Sequence, residues 1–277
     1  MKVAVSTIGK FHTFELAREL RRQDAVAAIF SGYPRFKLKH EQLPGRLIKT
    51  YPWIHTPYMI PRLRNALGTR AIRAWEPARS GLTRFHPAGA PDPDRFDVLF
   101  VGGMSLRKGV QYLVQAYQRI QHPRLSITFA GIPDPHLIAM LRGRGLWPEQ
   151  ARVIGHVPQP QLKELMSRSH VLVLPSVEEG LALVLAQAMA CGCPVVATEN
   201  TGAGDLLEDG VGGFILPIRD VDQLAERLQR LADQPTLRDA LSEAATARVR
   251  ALGGWSDYGN RAMKIYSDLT GHGTRTP

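Results

Sequence analysis

The chain has 277 residues, 44% of them hydrophobic and 22% charged. This is the balance of a soluble globular protein with room for one large or two modest domains. No apolar run approaches the roughly 20 residues that cross a bilayer, and the opening MKVAVSTIGK lacks the basic-then-apolar layout of a secretory leader. Two cysteines one residue apart, Cys191 and Cys193, exclude a disulfide framework or a cysteine metal cluster and fit a reduced, cytoplasmic setting. The formal charge is +10, and the whole excess lies in residues 1–79, with 15 Lys and Arg against 5 Asp and Glu; the remainder carries 20 of each. That asymmetry points to an anionic partner or to a solvated basic surface.

Taken in chain order, Lys2 to Ser6 reads as a strand, Phe11 to Arg22 as a helix and Val26 to Phe30 as a second strand, together one βαβ unit. The pattern then dissolves. Five prolines between residues 33 and 64 exclude a long regular helix, and Tyr33, Phe36, Tyr51, Trp53, Tyr58 and Trp75 lie among the basic residues. Asn65 to Trp75 reads as a short basic helix. Residues 80–95 are a linker. From there the chain becomes regular, with strands expected at 97–101, 126–130, 153–157, 170–175, 194–198 and 213–216. Helices are expected between them at 108–121, 135–143, 160–168, 180–190 and 204–208, and after them at 221–233, 236–250 and 255–269. Strand–helix alternation with buried strands means a parallel sheet covered on both faces. The expected domains are 1–79, a linker 80–95, a second domain 96–253 and a closing helix and tail, 254–277.

The segment most suggestive of chemistry is 171–198, VLVLPSVEEGLALVLAQAMACGCPVVAT. It reads as strand, acidic turn, helix, tight turn and strand. In open parallel sheets ligands bind beyond the carboxyl ends of the strands. A helix N-terminus offers free N–H groups and partial positive charge to a diphosphate. Gly180 lets a ligand approach the backbone. Gln187, seven residues on, is expected two helical turns below Gly180 on the same side. Glu179 and Gln187 then suit two separate hydroxyl groups of one long ligand. The plainer alternative is a glutamate that caps a helix.

Pro175-Ser176 followed by Glu179-Gly180-Leu181-Ala182 resembles the E-x7-E segment of the family 4 retaining glycosyltransferases, which have the two-domain GT-B fold. The resemblance covers about residues 97–270. It implies an α/β, GT-B-like protein: a complete C-terminal Rossmann-like domain of parallel sheet and a truncated N-terminal α/β segment. It also implies a donor that is a nucleotide-diphosphate sugar, no cofactor and no metal. Glu179 stands where the family's first glutamate meets the donor sugar, and Gln187 where the second meets the ribose. Gln187, as a neutral amide, lacks charge-assisted strength. Leu181 and Ala182 replace the family's phenylalanine and second glycine. Gly180, Leu181, Ala182 and Leu183 fall in its donor-binding turn.

A second run, VGGMSLRKG at 101–109, resembles the family's glycine-rich turn, where an arginine and a lysine hold the diphosphate. Lys108 matches the lysine and Gly103 occupies the arginine's place, with Gly102 before it; Arg107 is a candidate to compensate. Lys108 is otherwise a surface lysine in a first helical turn. Gly155-His156-Val157-Pro158 resembles the strand end that meets the base, with Val157 the candidate contact; a plain strand exit reads equally well. Of two Asp-x-Asp runs, Asp92-Pro93-Asp94 lies in the linker and Asp220-Val221-Asp222 fits a helix start, so metal-independent chemistry is expected. In the first segment Lys10 and His12 follow the first strand, where the resemblance places acceptor-side residues.

The first segment is short for a complete acceptor domain, and 81–87 resembles the linker into the donor domain, so an internal deletion is expected. Apolar surface left by such a deletion favours a partner or self-association as a homo-oligomer. The basic, aromatic stretch 33–75 suits an anionic membrane surface and peripheral attachment at the inner face. No nucleic-acid motif accompanies the charge, so nucleic acid is not expected. Two functions stay open: transfer of a sugar with retention, and a nucleotide-sugar-binding remnant or partner subunit with little turnover. The acceptor, the base and the sugar are not read from the sequence.

Overall fold

The computed structural model describes residues 3–7, 13–31, 48–50 and 85–252, with residues 260 and 264. The chain divides into two compact units, Met1–Gly81 with Gly253–Pro277, and Leu82–Leu252.

In the first unit β1 (Val3–Thr7), α1 (Thr13–Arg22) and β2 (Val26–Ser31) form the expected βαβ unit, and β3 (Ile48–Thr50) adds a third parallel strand in the order β1-β2-β3. Helix α1 buries Ala17 and Leu20. β3 was not expected. Three residues, Ile-Lys-Thr, are too short to show a period of two, and pairing with β2 defines the strand. The expectations for 33–47, 51–79 and Lys10 and His12 lie outside the described residues, as does the helix at 255–269 apart from Asn260 and Lys264.

The second unit holds β4 (Phe96–Val101), α2 (Val110–Tyr117), β5 (Leu125–Ala130), α3 (Pro135–Gly143), β6 (Arg152–Gly155) and α4 (Gln159–Ser167). It continues with β7 (Val171–Leu174), α5 (Leu183–Ala190), β8 (Val195–Thr198), a 3-10 turn (Glu199–Thr201) and α6 (Ala203–Leu206). β9 (Gly213–Leu216), α7 (Val221–Asp233) and α8 (Pro235–Leu252) complete it. The six strands are parallel in the order β6-β5-β4-β7-β8-β9. β7 and β8 are buried at every position, as expected of strands covered on both faces. α2 packs with α7, and α5 with α4 and α8. Phe96, Leu99, Phe100, Ile127, Phe129 and Leu172 are fully buried at the centre, and the Trp147 ring stacks on Phe129 at 5.3 Å.

This order has one consequence for function. The chain leaves β4 to build β5 and β6 on one side, then returns to the other side of β4 for β7, β8 and β9. The reversal point lies between β4 and β7. At such a point doubly wound sheets bind ligands outside the carboxyl ends of the strands.

Two expectations are corrected. α5 starts at Leu183, not at residue 180. The amides of Glu179 and Ala182 donate to the carbonyls of Asn200 (2.9 Å) and Thr201 (3.1 Å), so residues 179–182 are tied to the loop after β8 and cannot wind into the helix. Gln187 is therefore one turn below Leu183, and its seven-residue spacing from Gly180 is not two helical turns. α2 likewise starts at Val110, because Gly109 precedes it in the left-handed conformation (φ 73°).

Candidate active site

The site is built from three loops at the carboxyl ends of β4, β7 and β8. The first, residues 102–109, leaves β4 with the Gly102 amide donating to the Ala130 carbonyl (2.9 Å) and the Met104 amide to the Ile132 carbonyl (2.9 Å). It ends where the Lys108 amide donates to Ser105 Oγ (3.2 Å) and Gly109 turns into α2. A Cβ on Gly109 would lie 1.8 Å from the Pro175 carbonyl oxygen. Glycine is required there by both conformation and space, and its absence of a side chain lets the β4 loop lie directly on the β7 loop.

The second loop, 175–182, is held from both sides. On the β4 side the Val177 amide donates to the Arg107 carbonyl (2.9 Å), and Arg107 Nη1 donates to the Glu178 carbonyl (2.8 Å). On the β8 side the Asn200 side-chain amide donates to the Val177 carbonyl (3.0 Å), and Thr198 Oγ1 donates to the Ser176 carbonyl. Gly202, also left-handed (φ 70°), brings the third loop against Gly180 and Leu181.

These contacts bring Lys108 and Glu179, 71 residues apart in sequence, into an ion pair. Both side chains are about four-fifths buried, at 17% and 20% exposure, so the pair is screened less than a surface pair. Arg107 Nη1 lies 3.7 Å from the same carboxylate and is half exposed. The N-terminus of α5 follows at once: its N-cap is Ala182, and no side chain caps it. Two cations, one carboxylate and an uncapped helix end on adjoining loops can hold an anionic group beside a hydroxyl-bearing one.

The other sequence-derived candidates fall around this pair. Gly102 and Gly103 are in the β4 loop, and space around Gly103 is open, with nothing within 4 Å of an added Cβ. Gly180 and Leu181 are exposed, Ala182 is buried, and Leu183 and Gln187 are partly buried on α5. Val157 follows the end of β6, two strands from β4 and so about 10 Å across the sheet. Asp220 caps α7, its carboxylate accepting from the Gln223 amide (2.9 Å). Asp92 accepts from the Asp94 amide in a linker turn (3.1 Å). Among the described residues no three His, Cys, Asp or Glu side chains group as metal ligands. Sequence reading passed over Asn200 and Thr201, which fix the acidic loop; the signal for them is their position directly after a strand, at the same sheet end.

Residues 83–248, more than half of the chain, match the family model described as glycosyl transferases group 1. The chain belongs to the group 1 glycosyl transferases. One relative in the family is the alpha-D-kanosaminyltransferase of Streptomyces kanamyceticus, 29% identical over 180 residues, covering 64% of this chain and 46% of that one. Another is the D-inositol 3-phosphate glycosyltransferase 1 of Catenulispora acidiphila, 30% identical over 196 residues, 66% of this chain and 47% of that one. This member of the group spans about half the length of such relatives. In fold it matches sucrose-phosphate synthase from Thermosynechococcus elongatus, with a TM-score of 0.64 at 21% identity over 98% of this chain and 74% of that one. Anabaena HepE, solved in complex with UDP-glucose, matches with a TM-score of 0.57 at 17% identity over 96% of this chain and 71% of that one. The fold is accordingly that of the GT-B glycosyltransferases.

Proposed function

We propose that the protein transfers a sugar from a nucleotide-diphosphate sugar to an acceptor, with retention of configuration as in the family 4 enzymes. The observation that carries this reading is the Lys108–Glu179 ion pair at the reversal point of the sheet. It sets an anion-binding cation and a hydroxyl-binding carboxylate on adjoining loops. In this reading Lys108, with the backbone of Gly102 and Gly103 and the N-terminus of α5, stabilises the leaving diphosphate, an electrostatic task. Glu179 holds a donor-sugar hydroxyl, with the Gly180–Leu183 turn beside it. Gln187 meets the ribose and Val157 the base. The HepE complex with UDP-glucose supports a nucleotide sugar as the donor class.

The acceptor side is proposed to come from residues 1–79, a shortened segment in which Lys10 and His12 follow β1. The basic charge of that segment is proposed to draw the protein to an anionic, cytoplasmic membrane face; sedimentation with anionic liposomes at low salt tests it, and failure to sediment removes it. A second reading is a nucleotide-sugar-binding partner subunit with little turnover. A product assay decides between the two. Transfer or donor hydrolysis that is lost in Lys108→Ala and Glu179→Ala supports the first; binding without turnover by the wild type supports the second. Turnover unchanged in both variants removes this site from the chemistry.

A further inference from the structure

Lys108 and Arg107 are adjacent cations facing one carboxylate, but their attachments differ. Lys108 makes its side-chain contact with Glu179 alone among the described residues. Arg107 is tied to the acidic loop twice more: its Nη1 donates to the Glu178 carbonyl at 2.8 Å, and its own carbonyl accepts from the Val177 amide at 2.9 Å. The two bonds run in opposite directions across the same pair of loops, so they fix both the separation and the register of residues 107 and 177–178. The guanidinium Nη1 that makes the first bond also lies 3.7 Å from the Glu179 carboxylate. A planar fork with several donors can hold a carbonyl and a carboxylate together; an ammonium group lacks that fixed geometry.

A donor diphosphate at Lys108 takes over the cation that now balances Glu179. The carboxylate then faces phosphate oxygens of like charge at the moment it is needed beside the sugar. We propose that Arg107 is a positioning residue, which keeps Glu179 in place for the donor sugar when the diphosphate engages Lys108, and is not itself a diphosphate ligand. This rests on the reading of Glu179 and Lys108 given above. No residue but Arg107 among those described offers Glu179 a second cation.

The experiment is calorimetric titration of the full chain with UDP and UDP-glucose, and with GDP and GDP-mannose, using the pair that binds the wild type. The readout is the ratio of affinities, nucleotide sugar over bare nucleotide, for wild type, Lys108→Ala, Arg107→Ala, Arg107→Lys, Glu179→Gln and the double variant Arg107→Ala/Glu179→Gln. Far-ultraviolet circular dichroism confirms that each variant is folded. Arg107→Ala is expected to leave bare-nucleotide affinity within about twofold and to lower the ratio about tenfold, the size of one charge-assisted contact. Arg107→Lys falls between the two. In the Glu179→Gln background the Arg107→Ala substitution changes nothing further, because a residue acting through another shows no separate effect once that partner is gone.

A loss of bare-nucleotide affinity on Arg107→Ala, equal in both backgrounds, overturns the proposal and makes Arg107 a diphosphate ligand. A ratio unchanged by Arg107→Ala overturns it as well. Failure of the underlying reading looks different: Lys108→Ala and Glu179→Gln then leave both affinities at the wild-type value, or no pair binds at all, and Arg107's task falls with it.

Discussion

Replacing Gly109 by alanine is expected to separate the two loops that make the site. Gly109 has φ 73° and ψ 20°, and a side chain in that region costs about 1–2 kcal/mol. The added Cβ would sit 1.8 Å from the Pro175 oxygen, where real contacts essentially never fall under 3.0 Å, so Pro175 must retreat by at least 1.2 Å. That retreat strains the Val177–Arg107 bond, worth about 1 kcal/mol. A total near 3 kcal/mol is at the upper end of ordinary single substitutions. At about 2–4 °C per kcal/mol for a unit of this size, calorimetry should show a fall in melting temperature of about 6–12 °C. Nucleotide affinity should fall with it, because Glu179 moves with Pro175. Gly103→Ala is the control: its Cβ enters open space and its backbone is not left-handed, so its melt should stay within about 0.5 kcal/mol of wild type. If Gly109→Ala melts with the wild type and binds nucleotide as well, the two-loop account of the site is wrong.

Gly103→Arg should be accommodated in that same space and, by adding a cation beside Lys108, should tighten nucleoside-diphosphate binding about tenfold; weaker binding contradicts a diphosphate at this loop. His170 is buried, its Nδ1 accepting from the Asp97 amide at 2.9 Å, and burial first, then the Arg238 cation, lower its pKa. The unfolded chain therefore takes up the proton first as pH falls. Stability is complete above about 6.5 and drains as pH drops through that value to the folded pKa. Urea midpoints between pH 7 and 5 should fall less steeply in His170→Asn than in wild type; parallel profiles refute the assignment. Burial pushes the Cys191 thiol up to about 11 and the Cys193 thiol higher still. A chromogenic disulfide reagent at pH 8 should find neither thiol until denaturant is added, and prompt reaction of the native protein would place them at the surface.

Much of the second unit was legible because its strands announce themselves. Val171–Leu174 and Val195–Ala197 are unbroken apolar runs between turn signals, and β9 begins and ends where the residues predict. What the sequence could not supply was strand order. The reversal between β4 and β7 depends on which strand returns beside which, and local periodicity carries no such information. For the same reason Lys108 and Glu179 were separate candidates until the sheet joined them. The start of α5 was misread because alanine and leucine at 181–183 favour helix, whereas the tie from Ala182 to Thr201 is a tertiary bond that overrides propensity. Arg107 draws notice by its charge, but its carbonyl and guanidinium contacts to Val177 and Glu178 follow from loop packing that Gly109, with no side chain, permits.

The central claim, that the loops after β4 and β7 hold a nucleotide-diphosphate sugar through Lys108 and Glu179, is tested most directly by calorimetric titration. The ligands are UDP, GDP and ADP with their glucose or mannose conjugates, added to wild type, Lys108→Ala and Glu179→Ala. One base should bind the wild type, Lys108→Ala should weaken that nucleotide at least about tenfold, and Glu179→Ala should weaken the conjugate more than the bare nucleotide. Binding that survives both substitutions unchanged, or no binding to any of these ligands, would contradict the account.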